Sequence, residues 1–518
     1  MVCIDNRGAK AFGRTRAAHA SSGDPFMLHR LARRSTRTQK RSPMPAAGPG
    51  RYGRLFVAAG VLALLAACDG GTSQTEPAGS AVQGASRAGS ARDADARNPA
   101  GTNNLTDIKP MKIAVSSPGP QAGPAGQPYS VSNGQPHGQS RAEVYAQVRR
   151  MTALGKQMFF DPSLSGSGKM SCATCHNPDR AFTPANALDV QIGGVDMRRP
   201  GMRAVPTLKY LQAVPSFTEH YHDSDDEGDE SIDAGPTGGL TWDGRVDRGS
   251  DQARIPLLSS FEMASTPRKV AEAVRAAPYA DAFREAFGAQ IFDDEDATFN
   301  AVLKSLETFE QAPDVFYPYT SKYDAYLAGK TTLTAAELRG LQLFNDEKKG
   351  NCASCHISQR AKDGSPPQFS DFGLIAVGVP RNRALAVNRD PRFYDLGACG
   401  PERTDLGGRA EFCGLFRTPT LRNVALKKTF FHNGIYHSLE DVMHFYARRD
   451  TNPEEFYPVV KGKVRKFDDL PRRYWVNLNT DAPFDRKPGD APVFSDAEIK
   501  DVIAFLGTLT DGWQPSAH

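Results

Sequence analysis

Two five-residue stretches, Cys172-Ala173-Thr174-Cys175-His176 and Cys352-Ala353-Ser354-Cys355-His356, carry the richest chemistry in this 518-residue chain. In each, two thiols stand one helical turn apart and a histidine follows at once. That spacing lets both thiols add to the two vinyl groups of one haem, while the adjacent imidazole reaches the iron from the same side. Zinc accepts the same residue types, but a CxxC zinc site normally needs a second CxxC or histidine pair nearby. Two intact stretches therefore predict two covalently bound haem c groups, with His176 and His356 as iron ligands.

A third stretch, "HSLEDVMHFYARR" (437–449), also holds residues able to ligate iron. Ser438 is placed to cap a helix with Asp441 three residues on, and Leu439, Val442, Met443 and Tyr446 fall on one face. Tyr446 or Met443 on a metal, or plain core packing, all fit that pattern. Cys399 and Cys413, in "GACGPERTDLGGRAEFCG", read as a disulfide closing a Gly-rich loop, worth about 3 kcal/mol through loop entropy; two free thiols are the alternative.

The elements that must position these groups read as helices. Thr266-Pro267 opens one through Ala276, "DATFNAVLKSLETFEQA" continues the theme, and Thr334/Glu337 and Ser495/Glu498 are capping boxes. The last helix presents Ile499, Val502, Ile503 and Leu506 on one face. Strand-like alternation is scarce. The expected fold is mainly α: two cytochrome c-like helical domains with long loops, one haem in each. Residues 141–332 form the first and 333–518 the second, with the Gly-Lys-Thr-Thr stretch at 329–332 as boundary. The acidic loop at 222–235 reads as a solvated insertion, with a cation or basic partner as the alternative.

Charge separates the N-terminus from the body. Residues 1–68 hold 12 Lys and Arg against 2 Asp and Glu, which leaves the remainder net acidic and gives no case for nucleic-acid binding. Arg51 and Arg54 precede an apolar run ending at Leu65-Ala66-Ala67-Cys68, a signal-peptide core followed by a lipobox-like cleavage site. Met44 reads as the better start. Cys68 is then the lipid-anchored N-terminus, with plain secretion as the alternative, and residues 69–140 are a Gly, Ser, Ala and Pro-rich disordered tether. The expected location is the periplasm, at a membrane face.

With the two haem motifs in this order, "LGKQMFFDPSLSGSGKMSCATCHNPDRAF", "TWDGR", "FRTPTLRNVAL" and "FFHNG" make the chain resemble the bacterial dihaem cytochrome c peroxidase and MauG family from about residue 141 to 512. The resemblance implies a peroxidatic N-terminal haem domain and a C-terminal domain whose haem relays electrons. It implies Trp242 between the haems and Gln252, Pro256 and Glu262 in the distal pocket. Peroxide cleavage independently asks for a carboxylate in a semi-apolar setting, as Phe261 and Met263 give Glu262; the residues alone also allow a surface carboxylate. No histidine lies between His176 and His220, where many relatives carry one that caps the resting iron. Tyr446 falls where peroxidases place an axial methionine and MauG proteins a tyrosine. Where MauG carries a surface tryptophan, this chain has Gly350-Asn351, and the asparagine of the family's calcium site is Ala204, which counts against calcium.

The leading functional expectation is a periplasmic peroxidase reducing hydrogen peroxide to water, its high-valent intermediate shared between the haems, with electrons from a small donor of cytochrome or cupredoxin type. A MauG-like oxidation of a partner protein is the second reading, and a non-catalytic dihaem electron carrier the third.

Overall fold

In the computed structural model, residues 140–221 and 234–515 are described. The leader, the Cys68 anchor, the tether up to residue 139 and most of the acidic loop lie outside them. The described residues fall in one unit, Ala125–His518.

The helices are α1 (Arg141–Phe159), α2 (Cys172–Cys175), α3 (Gly249–Leu258), α4 (Pro267–Ala276), α5 (Ala280–Phe287), α6 (Glu295–Glu310), α7 (Pro313–Phe316), α8 (Lys322–Leu327), α9 (Ala335–Asn345), α10 (Leu439–Arg448) and α11 (Asp496–Gly507). Strands are two-residue pieces paired antiparallel: β1 (Ile192–Gly193) with β2 (Arg199–Pro200), β3 (Leu374–Ile375) with β4 (Phe416–Arg417), β5 (Val459–Val460) with β6 (Lys463–Val464). The mainly helical reading holds. So do the expected caps: Thr266, Thr334, Ser438 and Ser495 each accept from a backbone N–H of the first turn. No helix among the described residues is long and apolar enough to cross a membrane.

Each haem motif sits against a crossed pair of helices. In the first core α1 packs on α6, which buries Phe299, Val302, Leu306 and Phe309 at helical spacing. In the second, α9 packs on α11 through Leu341, Phe344, Val502 and Phe505. Both crossings are glycine contacts. A Cβ on Gly155 would lie 1.9 Å from the Ser305 carbonyl oxygen, and one on Gly340 would lie 2.0 Å from that of Asp501. The first core ends at Tyr317 and the second begins at Tyr323. Helix α8, which the sequence reading placed before the boundary at 329–332, packs into the second core.

A third, smaller core gathers Leu374, Leu406, Phe412, Leu415, Leu470 and Leu478 around the Cys399–Cys413 disulfide. The pair is bonded, so the free-thiol alternative falls away. The loop it closes packs beside β3 and β4.

Gly340→Ala forces a methyl into the α9–α11 crossing and is expected to cost about 1–3 kcal/mol, as overpacking does. A thermal unfolding midpoint equal to that of the unsubstituted chain would refute the close-contact account.

Candidate functional site

Each CxxCH stretch is a single turn. The His176 N–H donates to the Cys172 carbonyl at 2.9 Å, and the His356 N–H to that of Cys352 at 2.8 Å. His176 Nδ1 lies 2.9 Å from the Phe182 carbonyl, and His356 Nδ1 2.8 Å from that of Phe369. A carbonyl only accepts, so each Nδ1 carries the proton and each Nε2 keeps its lone pair for a metal. Burial lowers both imidazoles, His176 to about 4, which keeps them neutral. Burial raises the four thiols, Cys175 to about 12 and Cys355 to about 11. No cluster of three His, Cys, Asp or Glu able to hold a metal ion occurs among the described residues, so neither motif has the further ligands a zinc site needs.

Two cavities meet these motifs. One of about 740 Å³ is lined by Cys352, Cys355 and His356 and by the whole predicted face of α10: Leu439, Val442, Met443 and Tyr446. Its volume and apolar lining suit a cofactor. A narrower one of about 170 Å³ brings together Cys172, Cys175, His176, Gln252, Pro256 and Glu262. Trp242 lines both. Two thiols and one free imidazole nitrogen at each cavity fit a covalently held haem in both places.

In the cavity that His176 lines, α3 carries Gln252 and Pro256, and the turn after it carries Glu262. Pro256 has no N–H, so it breaks the helical bond at the cavity wall. Two close approaches clamp the Glu262 turn. The Gly194 N–H donates to the Glu262 carbonyl at 2.7 Å and the Gly166 N–H to that of Met263 at 2.6 Å; a Cβ on Gly193 would lie 2.5 Å from the Glu262 oxygen. Burial raises the Glu262 carboxyl, with Ser259 and Arg245 pulling it down. Ser259 Oγ is buried near that carboxyl but outside strict hydrogen-bond geometry, so burial remains the main influence on Glu262.

The segment between the cavities is ionic. Trp242 Nε1 donates to the Ala204 carbonyl at 2.7 Å, and the Trp242 carbonyl accepts from the Arg417 N–H at 2.8 Å. Next to it, the fully buried Asp243 takes Arg203 at 2.7 Å, Arg245 at 2.8 Å and the Thr241 hydroxyl at 2.6 Å. Burial raises that carboxyl, yet the two guanidiniums outweigh it and hold it low. Arg203 also grips Asp395 with two bonds of 2.7 Å. Arg417, lowered to about 10 by burial, lines both cavities. Sequence reasoning assigned none of these arginines a role; Arg245, inside the quoted "TWDGR", was the nearest signal. The Ala204 N–H donates to His432 and its carbonyl is taken by Trp242. With that main chain committed and two guanidiniums on the Asp243 carboxylate, the region does not fit a calcium ion.

The halves repeat one another. Leu240 bridges Val246 as Phe430 bridges Tyr436, and α3 follows the first bridge at the same offset as α10 follows the second. Gly244 and Gly434 both have φ +67°, and Trp242 matches His432. By that register, Pro256 on α3 occupies the position of Tyr446 on α10. Likewise "PTLKY" (206–210) matches "PTLRN" (419–423): Thr207 Oγ1 donates to the Ala181 carbonyl and Thr420 Oγ1 to that of Gln368, both at 2.6 Å.

Comparison with known proteins agrees with this geometry. Residues 149–332 match the family model described as di-haem cytochrome c peroxidase. The methylamine utilization protein MauG of Paracoccus denitrificans is 32% identical over 381 residues, covering 70% of this chain and 88% of that protein. The cytochrome c551 peroxidase of Pseudomonas aeruginosa is 30% identical over 296 residues, covering 56% and 69%. Among solved structures, the diheme peroxidase BthA of Burkholderia thailandensis is similar at TM-score 0.62 and 37% identity, over 71% of this chain and 88% of that one. A tyrosine-to-methionine variant of it is similar at 36% identity.

Because the inter-cavity charges are satisfied by arginine, calcium chelation of the haem-loaded protein is expected to leave its thermal midpoint unchanged. A drop on chelation, reversed by added calcium, would overturn that reading.

Proposed function

This chain belongs to the dihaem cytochrome c peroxidase and MauG family, and we propose that it is a periplasmic peroxidase reducing hydrogen peroxide to water with electrons from a small cytochrome or cupredoxin-type donor. A lipid anchor at Cys68 and the tether after it would hold it at a membrane. The carrying observation is the narrower cavity, which His176 lines together with Gln252, Pro256 and Glu262 and where it is the one histidine in the lining among the described residues. When bound, the first haem supplies an iron that takes peroxide and the second supplies an electron relay.

The protein's own groups do the rest. Glu262, as carboxylate, accepts a proton from the inner peroxide oxygen and returns it to the outer one, so that the leaving group is water rather than hydroxide. Its raised affinity for protons brings it nearer to working pH. Gln252 cannot titrate and donates a hydrogen bond to the bound oxygen. Pro256 offers no ligating atom and leaves the site open. Trp242, shared by both cavity walls and tied at its indole N–H and carbonyl, provides a fixed conjugated bridge.

Tyr446 is the proposed second ligand of the other iron. Burial pushes its phenol up, so only a metal ion could hold it as phenolate. Met443 shares the cavity wall, but the register with Pro256 favours Tyr446. This tyrosine is also what supports the alternative reading, MauG-like oxidation of a partner protein.

Glu262→Gln is expected to keep both haems and slow peroxide cleavage by about 100-fold or more. With its pKa raised, Glu262 is a base only above that value, so the unsubstituted enzyme should lose rate as pH falls through it. The variant should lack that limb. Near-normal turnover in the variant would remove Glu262 from the mechanism.

Tyr446→Met is expected to raise the reduction potential of the second haem, since a thioether favours ferrous iron over what phenolate allows. Spectroelectrochemical titration reads this, and an unchanged potential would take Tyr446 off the iron.

A further inference from the structure

Residues 457–476 form a surface that the peroxide chemistry leaves unused. The β5–β6 hairpin exposes Val459 (56%) and Val460, and Val476 is 86% exposed. Lys461, Lys463, Arg465, Arg472 and Arg473 are exposed along the same stretch. The acids within it are spoken for: Asp468 pairs with Arg383 and Asp469 with Arg381. The stretch is therefore cationic in a body that is net acidic beyond residue 68. Exposed apolar side chains rimmed by cations make a docking face for an acidic protein.

Beneath this face lies Trp475, half-buried, its Nε1 donating to the Leu470 carbonyl at 3.0 Å. A run of packed π groups leads inward from it. The Phe467 ring meets Trp475 edge-on at 5.4 Å; the Arg449 guanidinium lies 5.3 Å from Phe467 and 3.7 Å from Phe484. Phe484 stacks on Tyr446 at 5.3 Å. Arg449 is fully buried and held by Asp450 and by the Val377 and Asn479 carbonyls, which fixes the middle of the run. Tryptophan and tyrosine are the readily oxidised side chains of the series, and they stand at its two ends.

We infer that the face of residues 459–476 docks an acidic one-electron carrier protein and that Trp475 is where its electrons enter, bound for the Tyr446 wall of the larger cavity. This rests on the peroxidase reading above. Two reduced carriers each give up one electron; with two protons, these convert one hydrogen peroxide to two waters. Trp475 is unchanged after each passage. Arg472, 5.8 Å over its ring, opposes a lasting positive charge there, so the indole passes electrons without storing a vacancy.

The test uses the haem-loaded full chain, with plant plastocyanin as acidic carrier and mitochondrial cytochrome c as basic control. In calorimetric titration the double variant Arg472→Glu, Arg473→Glu is expected to weaken plastocyanin binding by about tenfold or more at low salt, the difference closing as salt rises. Trp475→Phe should keep plastocyanin affinity, lose peroxide turnover driven by reduced plastocyanin, and keep turnover driven by ascorbate. Unchanged affinity and salt dependence in the double variant would overturn the docking face, as would preferred binding of the basic control. Undiminished plastocyanin-driven turnover in Trp475→Phe would overturn the entry point. Charge reversal that abolishes binding to phosphatidylglycerol vesicles but spares plastocyanin would make the face a membrane contact and overturn it too. Absence of turnover with either donor in the unsubstituted enzyme would instead defeat the peroxidase reading, while the titration still judges the face.

Discussion

The contact between each CxxCH imidazole and a phenylalanine carbonyl is the constraint on which the rest depends. It selects the tautomer, aims Nε2 and ties the site to the core, because the phenylalanine that supplies the carbonyl is itself buried. Phe182 and Phe369 take φ of +55° and +53°, a left-handed conformation that costs a non-glycine residue about 1–3 kcal/mol. What sustains it is packing. Phe182 sits against Phe159 and Phe316, and Phe369 against Tyr323 and Phe344. The ring pulls inward, the carbonyl is turned outward, and the threonine of each "PTL" segment bonds the adjoining carbonyl. A loss in either core would therefore be felt as a rotated imidazole.

A second constraint holds the space between the cavities. Trp242 is fastened at indole and carbonyl, and its neighbours Thr241 and Gly244 both have positive φ. The loop keeps that shape because Asp243 is buried beneath two guanidiniums, with Arg403 Nη1 capping the Asp243 and Gly244 carbonyls at 2.9 and 3.1 Å. A buried carboxylate so fully bonded is stiff: with Arg203, Arg245 and Thr241 all on it, losing both arginines would leave its charge without a partner in a dry setting. Rigidity here serves position, since it keeps the Trp242 ring against both cavity walls.

Much of this was legible in the chain and some was not, for a physical reason. Motifs whose meaning is local could be read directly: the CxxCH turns, the caps at Thr334, Ser438 and Ser495, and the face of α10 carrying Tyr446. What joins residues far apart in sequence could not. Nothing near Arg203 announces Asp395, and nothing near Gly155 and Gly340 announces the carbonyls of Ser305 and Asp501 that press on them. Where helix α8 packs is likewise decided at a distance, by Tyr323 in the second core and by Arg422, which binds Asp324 at 2.9 and 3.0 Å. The internal repeat escaped notice since only scattered positions are identical and the spacing between them drifts.

That repeat gives the difference at Pro256 and Tyr446 an architectural meaning. Two stretches of the chain follow one local plan of bridge, positive-φ turn and helix. On one helical turn they part: α10 presents the Tyr446 phenol to its cavity, where α3 presents the Pro256 ring, which carries no ligating atom. The bridges, positive-φ turns and threonine latches are common to both. Unlike cavities thus stand on a like framework, and the side chains rather than a second architecture carry the difference.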